Sequence, residues 1–348
     1  MEIKPRKRDQ HIRPKRSEVA ALAGVSEATV SYVFSNKRYV SPKLKKRVME
    51  VADRLGYRPD MIAGSMVTNT TRTIAVLTND IASPLQMEVV KGIQSAAMEK
   101  EYFVNICGGT DHLERYIDNF IARRVDGVFV SVVSSFVSDS YLQKLLNRDI
   151  SVIITSMRHL PDDRICGLEL DFGRAMYLII DHLRSLGHRK IAYLSSFDAG
   201  YADDRRLSAF RKEMREKLNE NDPLIIEGEP PYDSTVQTGY LYMKKLLEQT
   251  RDFTAVVCTN DTMASGAMGA LSEAGLRIPE DVSVVGMDDI QFSQSFHPPL
   301  TTVSHCSELY GEKIFEILYD NIQDKSVVRR EVIEPKLVVR RSTGPVRS

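Results

Sequence analysis

The sequence predicts an α/β protein in which a small all-α head precedes two doubly wound parallel-sheet subdomains. A helix-turn-helix pattern with a long basic helix occupies the first sixty residues, and short β-branched runs alternate with amphipathic stretches from Thr73 onward. Such alternation is typical of parallel sheets with helices on both faces. The 348 residues leave room for a head and two domains of roughly 130 residues each.

The head begins with SEVAALAGVSEATVSYVF at residues 17–34, a spacing that predicts two short helices packed across a tight turn. Gly24 tolerates the turn backbone, and Ser26 is a suitable N-cap for the second helix. The outward positions of that helix are free to meet another surface: Glu27, Ala28, Thr29, Ser31 and Tyr32. In a helix-turn-helix this surface is the DNA major groove, although an ordinary helical hairpin can have the same spacing.

The charge distribution favours the DNA-binding interpretation. The whole chain is balanced, with 47 basic and 47 acidic residues. Residues 1–72 carry 16 Lys and Arg against 7 Asp and Glu, a net charge of +9, which leaves −9 for the rest of the chain. A basic head on an acidic body is typical of proteins that bind polyanions. The alternative for residues 1–16 is a solvated basic tail.

A third helix is predicted after Ser41, because this residue is a good N-cap, Pro42 suits the first helical position and Gly56 suits the end. Its sequence KLKKRVMEVADRLG has one apolar stripe, with lysines and arginines on the other faces. Asp60 then precedes MIAGSM, which is too short for a stable helix in water. This segment is predicted to be a linker, or a helix that forms only when something holds it.

Two series of strands and helices follow the head. The first series has strands at 73–79, 102–108, 126–132 and 151–156, with helices at 86–100, 111–124 and 139–148. The second has strands at 165–171, 190–196, 223–228, 254–260 and 281–289, with helices at 173–187, 202–218, 233–249 and 261–275. Two such series predict two subdomains with a cleft between them, which the carboxyl ends of the strands face.

Several classes of protein are disfavoured by composition. No stretch approaches the ~18 apolar residues of a membrane span, and the charged N-terminus lacks the apolar run of a signal peptide, so a cytoplasmic protein is expected. The four cysteines are far apart and form no CxxC pair, and the seven histidines show no ligand spacing. Buried thiols are expected at Cys107, Cys166 and Cys258, which lie in or beside apolar strand-like runs. No disulfide scaffold, metal site or cofactor is expected.

The chain resembles the lactose/galactose-repressor family of bacterial transcription regulators. The stretches that carry the resemblance are VAALAGVSEATVSYVFSNKRYVSP, RLGYRPDMIAGSM, RRVDGVFV, HLRSLGHRKIAYL, RRLSAF, TNDTMASGAMGALSEAGLRIPEDVSVVGMDD and PPLTTV. The resemblance implies a hinge helix and a core like the periplasmic sugar-binding proteins. It also implies a homodimer that reads a pseudo-palindromic operator, and a small effector in the cleft.

The resemblance and the sequence pattern together predict the domain boundaries. A basic tail, expected to be disordered when free, covers 1–15, the DNA-binding head covers 16–59, and the hinge helix and linker cover 60–72. The first core subdomain is expected at 73–170 with about 304–328, and the second at 171–303 with about 329–348.

The resemblance also implies which residues contact DNA. Hydroxyls that match phosphate-anchoring positions belong to Ser26, Thr29 and Ser31, whereas Glu27, Ala28 and Tyr32 match base-reading positions. Arg38 matches a basic DNA contact, and Met66 lies where the family has an apolar wedge in the minor groove. Tyr32 stands where common members have Arg or His, so the operator cannot be copied from a relative. The alternatives are exposed surface residues and, for Met66, an apolar residue of a linker.

For the effector, Arg206 in RRLSAF and Asp288 in GMDD match the family's cleft residues, as does Asn260, with Asp171 as a weaker candidate. These groups suit a sugar or sugar phosphate, but also a purine or an organic acid. Leu85 and Gln86 stand where many relatives have aromatic residues that stack on the ligand, which argues against a simple sugar. The alternatives are a surface position for Arg206 and helix capping for Asn260 and Asp288.

Two other function classes remain open. Tyr240 and Lys244 have the spacing of short-chain dehydrogenases, but no glycine-rich nucleotide loop and no Ser/His/Asp arrangement accompany them. A transport-type binding protein would need a signal peptide and no DNA-binding head. A repressor is therefore predicted, as a dimer rather than a tetramer because the terminal RRSTGPVRS contains no leucine heptad. Whether the effector releases or promotes DNA binding stays open.

Overall fold

The computed structural model describes residues 14–35, 38–58, 70–109, 112–131, 137–155, 160–198, 205–229 and 232–346. The chain divides into two compact units, Met1–Thr71 and Arg72–Ser348. The predicted hinge segment with Met66, and most of the predicted basic tail, lie outside the described residues.

The described residues of the first unit form three helices, α1 (Arg16–Ala23), α2 (Glu27–Ser35) and α3 (Pro42–Leu55). Gly24 separates α1 from α2 with a φ of 63°, and Gly56 ends α3 with a φ of 67°, a left-handed backbone that glycine adopts at little cost. The three helices share one small core, built from Val19, Ala20, Ala23, Val30, Val33, Val48, Val51, Ala52 and Tyr57. The predicted helix-turn-helix is confirmed.

The second unit contains the following elements among the described residues. Its strands are β1 (Thr73–Thr78), β2 (Phe103–Gly108), β3 (Gly127–Ser131), β4 (Ser151–Ile154), β5 (Cys166–Leu170), β6 (Ile191–Leu194), β7 (Ile225–Ile226), β8 (Ala255–Cys258), β9 (Ser283–Asp288), β10 (Thr301–Ser304), β11 (Arg330–Ile333) and β12 (Lys336–Val338). Its helices are α4 (Pro84–Glu99), α5 (Leu113–Arg123), α6 (Asp139–Leu146), α7 (Phe172–Ser185), α8 (Arg205–Leu218), α9 (Val236–Gln249), α10 (Asp261–Glu273) and α11 (Ser307–Gln323), with a 3₁₀ turn at Gln291–Ser295.

These strands form two six-stranded sheets. The first has the order β11-β5-β4-β3-β1-β2 and the second the order β12-β10-β9-β8-β6-β7. All neighbours run parallel except β10 and β12, which are antiparallel. Apolar cores lie on both faces of each sheet. The predicted architecture of two doubly wound subdomains is confirmed.

The chain passes between the two sheets three times: from β5 to α7, from β10 to α11 and from β11 to β12. The sequence predicted that the last passage, from the first subdomain to the second, falls near residue 329, and this boundary is wrong by one strand. Arg330 pairs with Gly167 at the edge of the first sheet, so the change falls between Ile333 and Lys336. β11 is a short edge strand of mixed polarity, and nothing in its own sequence indicates which sheet it joins.

Candidate functional site

The start of α2 presents hydroxyls on an exposed surface. Ser26 Oγ accepts the backbone N–H of Thr29 at 3.2 Å, and the two side-chain hydroxyls lie 2.9 Å apart. Ser26 therefore caps the helix, as its sequence position predicts, because its oxygen pairs with one of the free N–H groups of the first turn. Ala28 is exposed beside them, and Ser31 lies half-buried one turn further along.

Two contacts made by charged side chains complete the exposed face of the head. Arg16 Nε donates to Glu27 Oε2 at 3.0 Å, so a cation from α1 partners the acidic side chain on α2. The Arg38 guanidinium lies over the Tyr32 ring, 5.3 Å from its centre. The structure thus brings the described DNA-contact candidates together on α2 and beside it.

In the core, contacts between the two subdomains join the carboxyl ends of strands from both sheets. Glu88, one turn into the helix α4 that follows β1, accepts the backbone N–H of Gln291 at 2.8 Å, just after β9. Glu169 near the end of β5 forms an ion pair with Arg205 at the start of α8. The predicted cleft therefore lies where parallel strands of both sheets end, which is where α/β proteins bind ligands.

Asp288, the last residue of β9, is a strongly perturbed group at this edge. Its side chain is buried and its φ is 111°, a value that non-glycine residues rarely adopt. Burial raises the pKa of Asp288 from 3.8 to about 7; the Arg206 charge opposes this rise and the Glu88 charge adds to it. A buried carboxyl that faces a cation and a second carboxylate is typical of a binding site.

Arg206 lies in a short stack with two residues that the sequence analysis did not single out. Its guanidinium is 5.2 Å from the centre of the Phe172 ring, and Phe172 meets the His305 ring edge-to-face at 5.7 Å. His305 is buried, and neither ring nitrogen has a hydrogen-bond partner within the described part of the chain. Burial, with the Arg206 charge, lowers the pKa of His305 to about 4, so the ring is neutral near pH 7.

Asn260 and Asp171 both cap helices. Asn260 Oδ1 accepts the backbone N–H of Met263 at 2.9 Å, and Asp171 Oδ1 accepts that of Arg174 at 2.8 Å. The capping alternative therefore holds for Asn260. Asp171 directly follows β5, and Asn260 lies two residues after the end of β8, so both lie at the same edge as Asp288. The second polar atom of each side chain is not used by the cap.

The site also contains residues that sequence reasoning missed, namely Glu88, Phe172 and His305. The sequence argues against a simple sugar because Leu85 and Gln86 replace aromatic residues. In the structure, Leu85 packs on the core of the first subdomain, and Gln86 Oε1 accepts a hydrogen bond from the Ser131 hydroxyl at 3.0 Å. Phe172 supplies an aromatic ring from the opposite wall. The position of Phe172 directly after Asp171 could have indicated that it lies near the site, but only the structure shows that it contacts Arg206.

The described residues of the site offer a guanidinium, three carboxyl groups, an amide, a neutral imidazole and an aromatic face, which belong to Arg206, Asp288, Glu88, Asp171, Asn260, His305 and Phe172. Such a set can hydrogen-bond a small polar ligand from several sides and stack against a flat or apolar part of it. Among the described residues, no group of three or more His, Cys, Asp or Glu side chains could hold a metal ion. No described helix is long and apolar enough to cross a membrane.

Two family models match the chain. Residues 17–60 match the model described as bacterial regulatory proteins, lacI family, and residues 180–343 match the periplasmic binding protein-like domain. Among curated relatives, the HTH-type transcriptional repressor PurR of Vibrio cholerae serotype O1 (strain M66-2) is 36% identical over 332 residues, covering 93% of this chain and 96% of the relative.

Solved structures agree with these matches. The Lac repressor dimer bound to operator and the anti-inducer ONPF has a TM-score of 0.82 and 26% identity, covering 95% of this chain and 99% of that one. A LacI family regulator from Enterococcus faecium with bound ribose has a TM-score of 0.71 and 26% identity, covering 79% of this chain and all of that one.

Proposed function

The chain belongs to the LacI family of bacterial regulatory proteins, and on that premise we propose how its two sites act together. It is a DNA-binding transcriptional regulator of the repressor type, works as a dimer on operator DNA, and is controlled by a small-molecule effector. The observation that carries the proposal is the meeting of Arg206, Asp288 and Glu88 at the edge between the two sheets, since these groups come from both subdomains.

On the DNA side, the exposed face of α2 would enter the major groove. The hydroxyls of Ser26, Thr29 and Ser31 would bind phosphates and fix the register, because hydrogen bonds to phosphate position a protein without reading sequence. Base reading would fall to Glu27, Ala28 and Tyr32, and Arg38 would add a basic contact while its guanidinium covers the Tyr32 ring. Met66 would act as the minor-groove wedge at the operator centre.

On the effector side, Arg206 and Asp288 would make the charged hydrogen bonds, with Asn260 and Asp171 adding polar contacts from the ends of their strands. A sugar or sugar derivative fits these groups, and Phe172 gives it a face to stack on. A purine would use the same cation, carboxyl and aromatic groups. The two ligand classes are therefore distinguished by experiment rather than by the residues.

The coupling between the sites would run through subdomain closure. The Glu88–Gln291 hydrogen bond and the Glu169–Arg205 ion pair both cross between subdomains. A ligand shifts a conformational equilibrium only by its differential affinity for the two states. An effector that contacts Asp288 on one side and the neighbourhood of Glu88 on the other binds the closed arrangement better, and so changes the relative position of the subdomains.

The enzyme alternative receives no support from the Tyr240 and Lys244 pair. Both side chains approach Glu273, with Lys244 Nζ 3.5 Å from the Tyr240 hydroxyl and 3.2 Å from Glu273. They form an exposed cluster on α9 and α10, away from the ends of the strands. The relatives of this chain are transcriptional regulators, and we infer that the protein is a cytoplasmic regulator without catalytic activity.

Selection of bound duplexes from a pool of random DNA tests the DNA-binding half of this proposal. The full-length protein should enrich a pseudo-palindrome, and isolated half-sites should bind more weakly. If the dimer neutralises roughly 6–10 phosphates, log affinity should fall with log salt at a slope of about −5 to −9. No enrichment, or a flat salt response, would show that the head is not an operator-binding domain.

A further inference from the structure

The backbone that carries Asp288 is strained at two successive residues. Asp288 has a φ of 111° and Asp289 a φ of 54°, both in the region that favours glycine. Residues with larger side chains remain in such conformations only where the surrounding structure holds them there. The chain contains two sets of contacts that do so, and neither belongs to the ligand-facing groups described above.

The first anchor is the carboxylate of Asp261, which is fully buried at the start of α10. Its Oδ2 accepts the backbone N–H of Ile290 at 3.0 Å, and its Oδ1 accepts the hydroxyl of Thr302 at 2.5 Å. The same Thr302 oxygen accepts the backbone N–H of Asp289 at 3.3 Å. Gly286 makes this approach possible, because a Cβ there would overlap the Asp261 carboxylate.

The second anchor is Arg340, in the segment after β12. Its Nη2 donates to Asp289 Oδ1 at 2.6 Å in an ion pair whose two side chains are only 19% and 20% exposed. Its Nη1 donates to the carbonyl of Leu300 at 2.9 Å and to Ser293 Oγ at 3.2 Å. The planar guanidinium thus ties Asp289 to two segments that follow the turn, which a point charge cannot do equally well.

We propose that Asp261, Thr302 and Arg340 are positioning residues of the effector site, which hold the Asp288–Asp289 turn so that the Asp288 side chain stays buried beside Arg206 and Glu88. Asp261 directly follows Asn260, so its buried side chain links the turn with Asp288 to the start of α10, where Asn260 lies. This inference rests on the proposed role of Asp288 in effector binding. It adds residues that do not touch the ligand but determine where the ligand-binding groups lie.

The pKa of Asp288 reports whether its carboxyl group is buried, and it can be followed without the effector. Burial raises the pKa of Asp288 to about 7, and the charged groups that act on it are Arg206 and Glu88. The Asp261 and Asp289 carboxyls lie close by, and Asp288 in turn helps to raise the pKa of Asp261. If an anchor is lost and the turn relaxes, Asp288 reaches solvent and its pKa returns towards the ordinary range.

The experiment measures thermal unfolding of the full-length protein between about pH 5 and about pH 8 at one fixed protein concentration. Thr302→Val removes the bridging hydroxyl at nearly constant volume, and Arg340→Lys keeps a positive charge beside Asp289 but loses the two-pronged contact. Each variant is made with and without Asp288→Asn, so that the difference within each pair gives the part of the pH dependence that requires Asp288, including its effect on Asp261. Ser283→Ala is the matched control, because this buried hydroxyl at the start of β9 contacts Gly344 rather than the turn or either anchor.

In the wild-type and Ser283→Ala backgrounds, the unfolding midpoint should fall as the pH rises, and Asp288→Asn should remove this fall. In the Thr302→Val and Arg340→Lys backgrounds, the Asp288-dependent fall of the unfolding midpoint should be less than about half of its size in the wild-type background. An undiminished fall in both anchor variants would overturn the inference, as would the absence of any Asp288-dependent fall in the wild-type protein. Neither result depends on operator or effector binding, so a failure here is distinguishable from a failure of the proposed function.

Discussion

The Asp288→Asn variant should gain stability over the wild-type protein as the pH rises. In the folded state the pKa of Asp288 is about 7, against 3.8 when the carboxyl is in water. Between these values the unfolded chain has released a proton that the folded chain still binds, so the wild-type protein loses stability with increasing pH. The loss is complete above about pH 7, and asparagine, which does not titrate, escapes it.

The size of the effect follows from the shift in pKa. Each unit is worth 1.36 kcal/mol, so the free energy of unfolding of the two proteins should diverge by about 4 kcal/mol from low pH to above neutrality. About 2.5 kcal/mol of this falls between about pH 5 and about pH 8, which corresponds to a difference in Tm on the order of 5–10 °C.

Differential scanning calorimetry of both proteins across this pH range measures the divergence. Two further variants give opposite changes from the same geometry. Glu88→Gln removes a charge that raises the pKa of Asp288 and should make the fall shallower, whereas Arg206→Met removes a charge that lowers it and should make the fall steeper. A stability difference between wild-type protein and Asp288→Asn that is constant with pH would refute a buried, neutral carboxyl at this site.

Two further predictions concern the hinge and the contacts between subdomains. Met66→Gly should weaken operator binding and reduce DNA bending in a phasing assay while dimerisation is unchanged, because insertion of an apolar side chain unstacks a base step; unchanged bending would exclude a wedge. Glu169→Gln breaks the ion pair with Arg205 and should shift operator affinity several-fold without effector, whereas Asp252→Asn, which breaks the exposed pair with Lys190 inside one subdomain, should leave it unchanged. Equal effects of these two variants would mean that the Glu169 pair does not bias the subdomains.

The alternation of β-branched runs with amphipathic stretches was enough to predict the two sheets, because the period of the pattern reports local structure directly. Helix starts were equally accessible: Ser26 and Asn260 cap their helices as short polar residues do before an apolar run. The edge strand β11 was assigned to the wrong sheet. Its four residues carry too little apolar pattern to indicate a partner that lies far away along the chain.

The candidate site was accessible only in part for a similar reason. Arg206 and Asp288 could be found from the motifs around them, but Glu88 meets the turn after β9 across 203 residues of sequence. Phe172 and His305 come from two separate crossings between the sheets, and their contact depends on how those crossings pack. Nothing in the sequence indicates the strained φ of Asp288, because this position holds aspartate although its backbone conformation favours glycine.

Titration of operator affinity against candidate effectors tests effector control of DNA binding most directly. An operator duplex from the DNA selection is titrated with protein in the presence of ribose, a sugar phosphate, a purine base or an organic acid. One of these compounds should change the affinity of the wild-type protein, and neither Arg206→Ala nor Asp288→Ala should respond, although both still bind the operator. A wild-type response in both variants would contradict the assignment of the effector to the cleft between the two sheets.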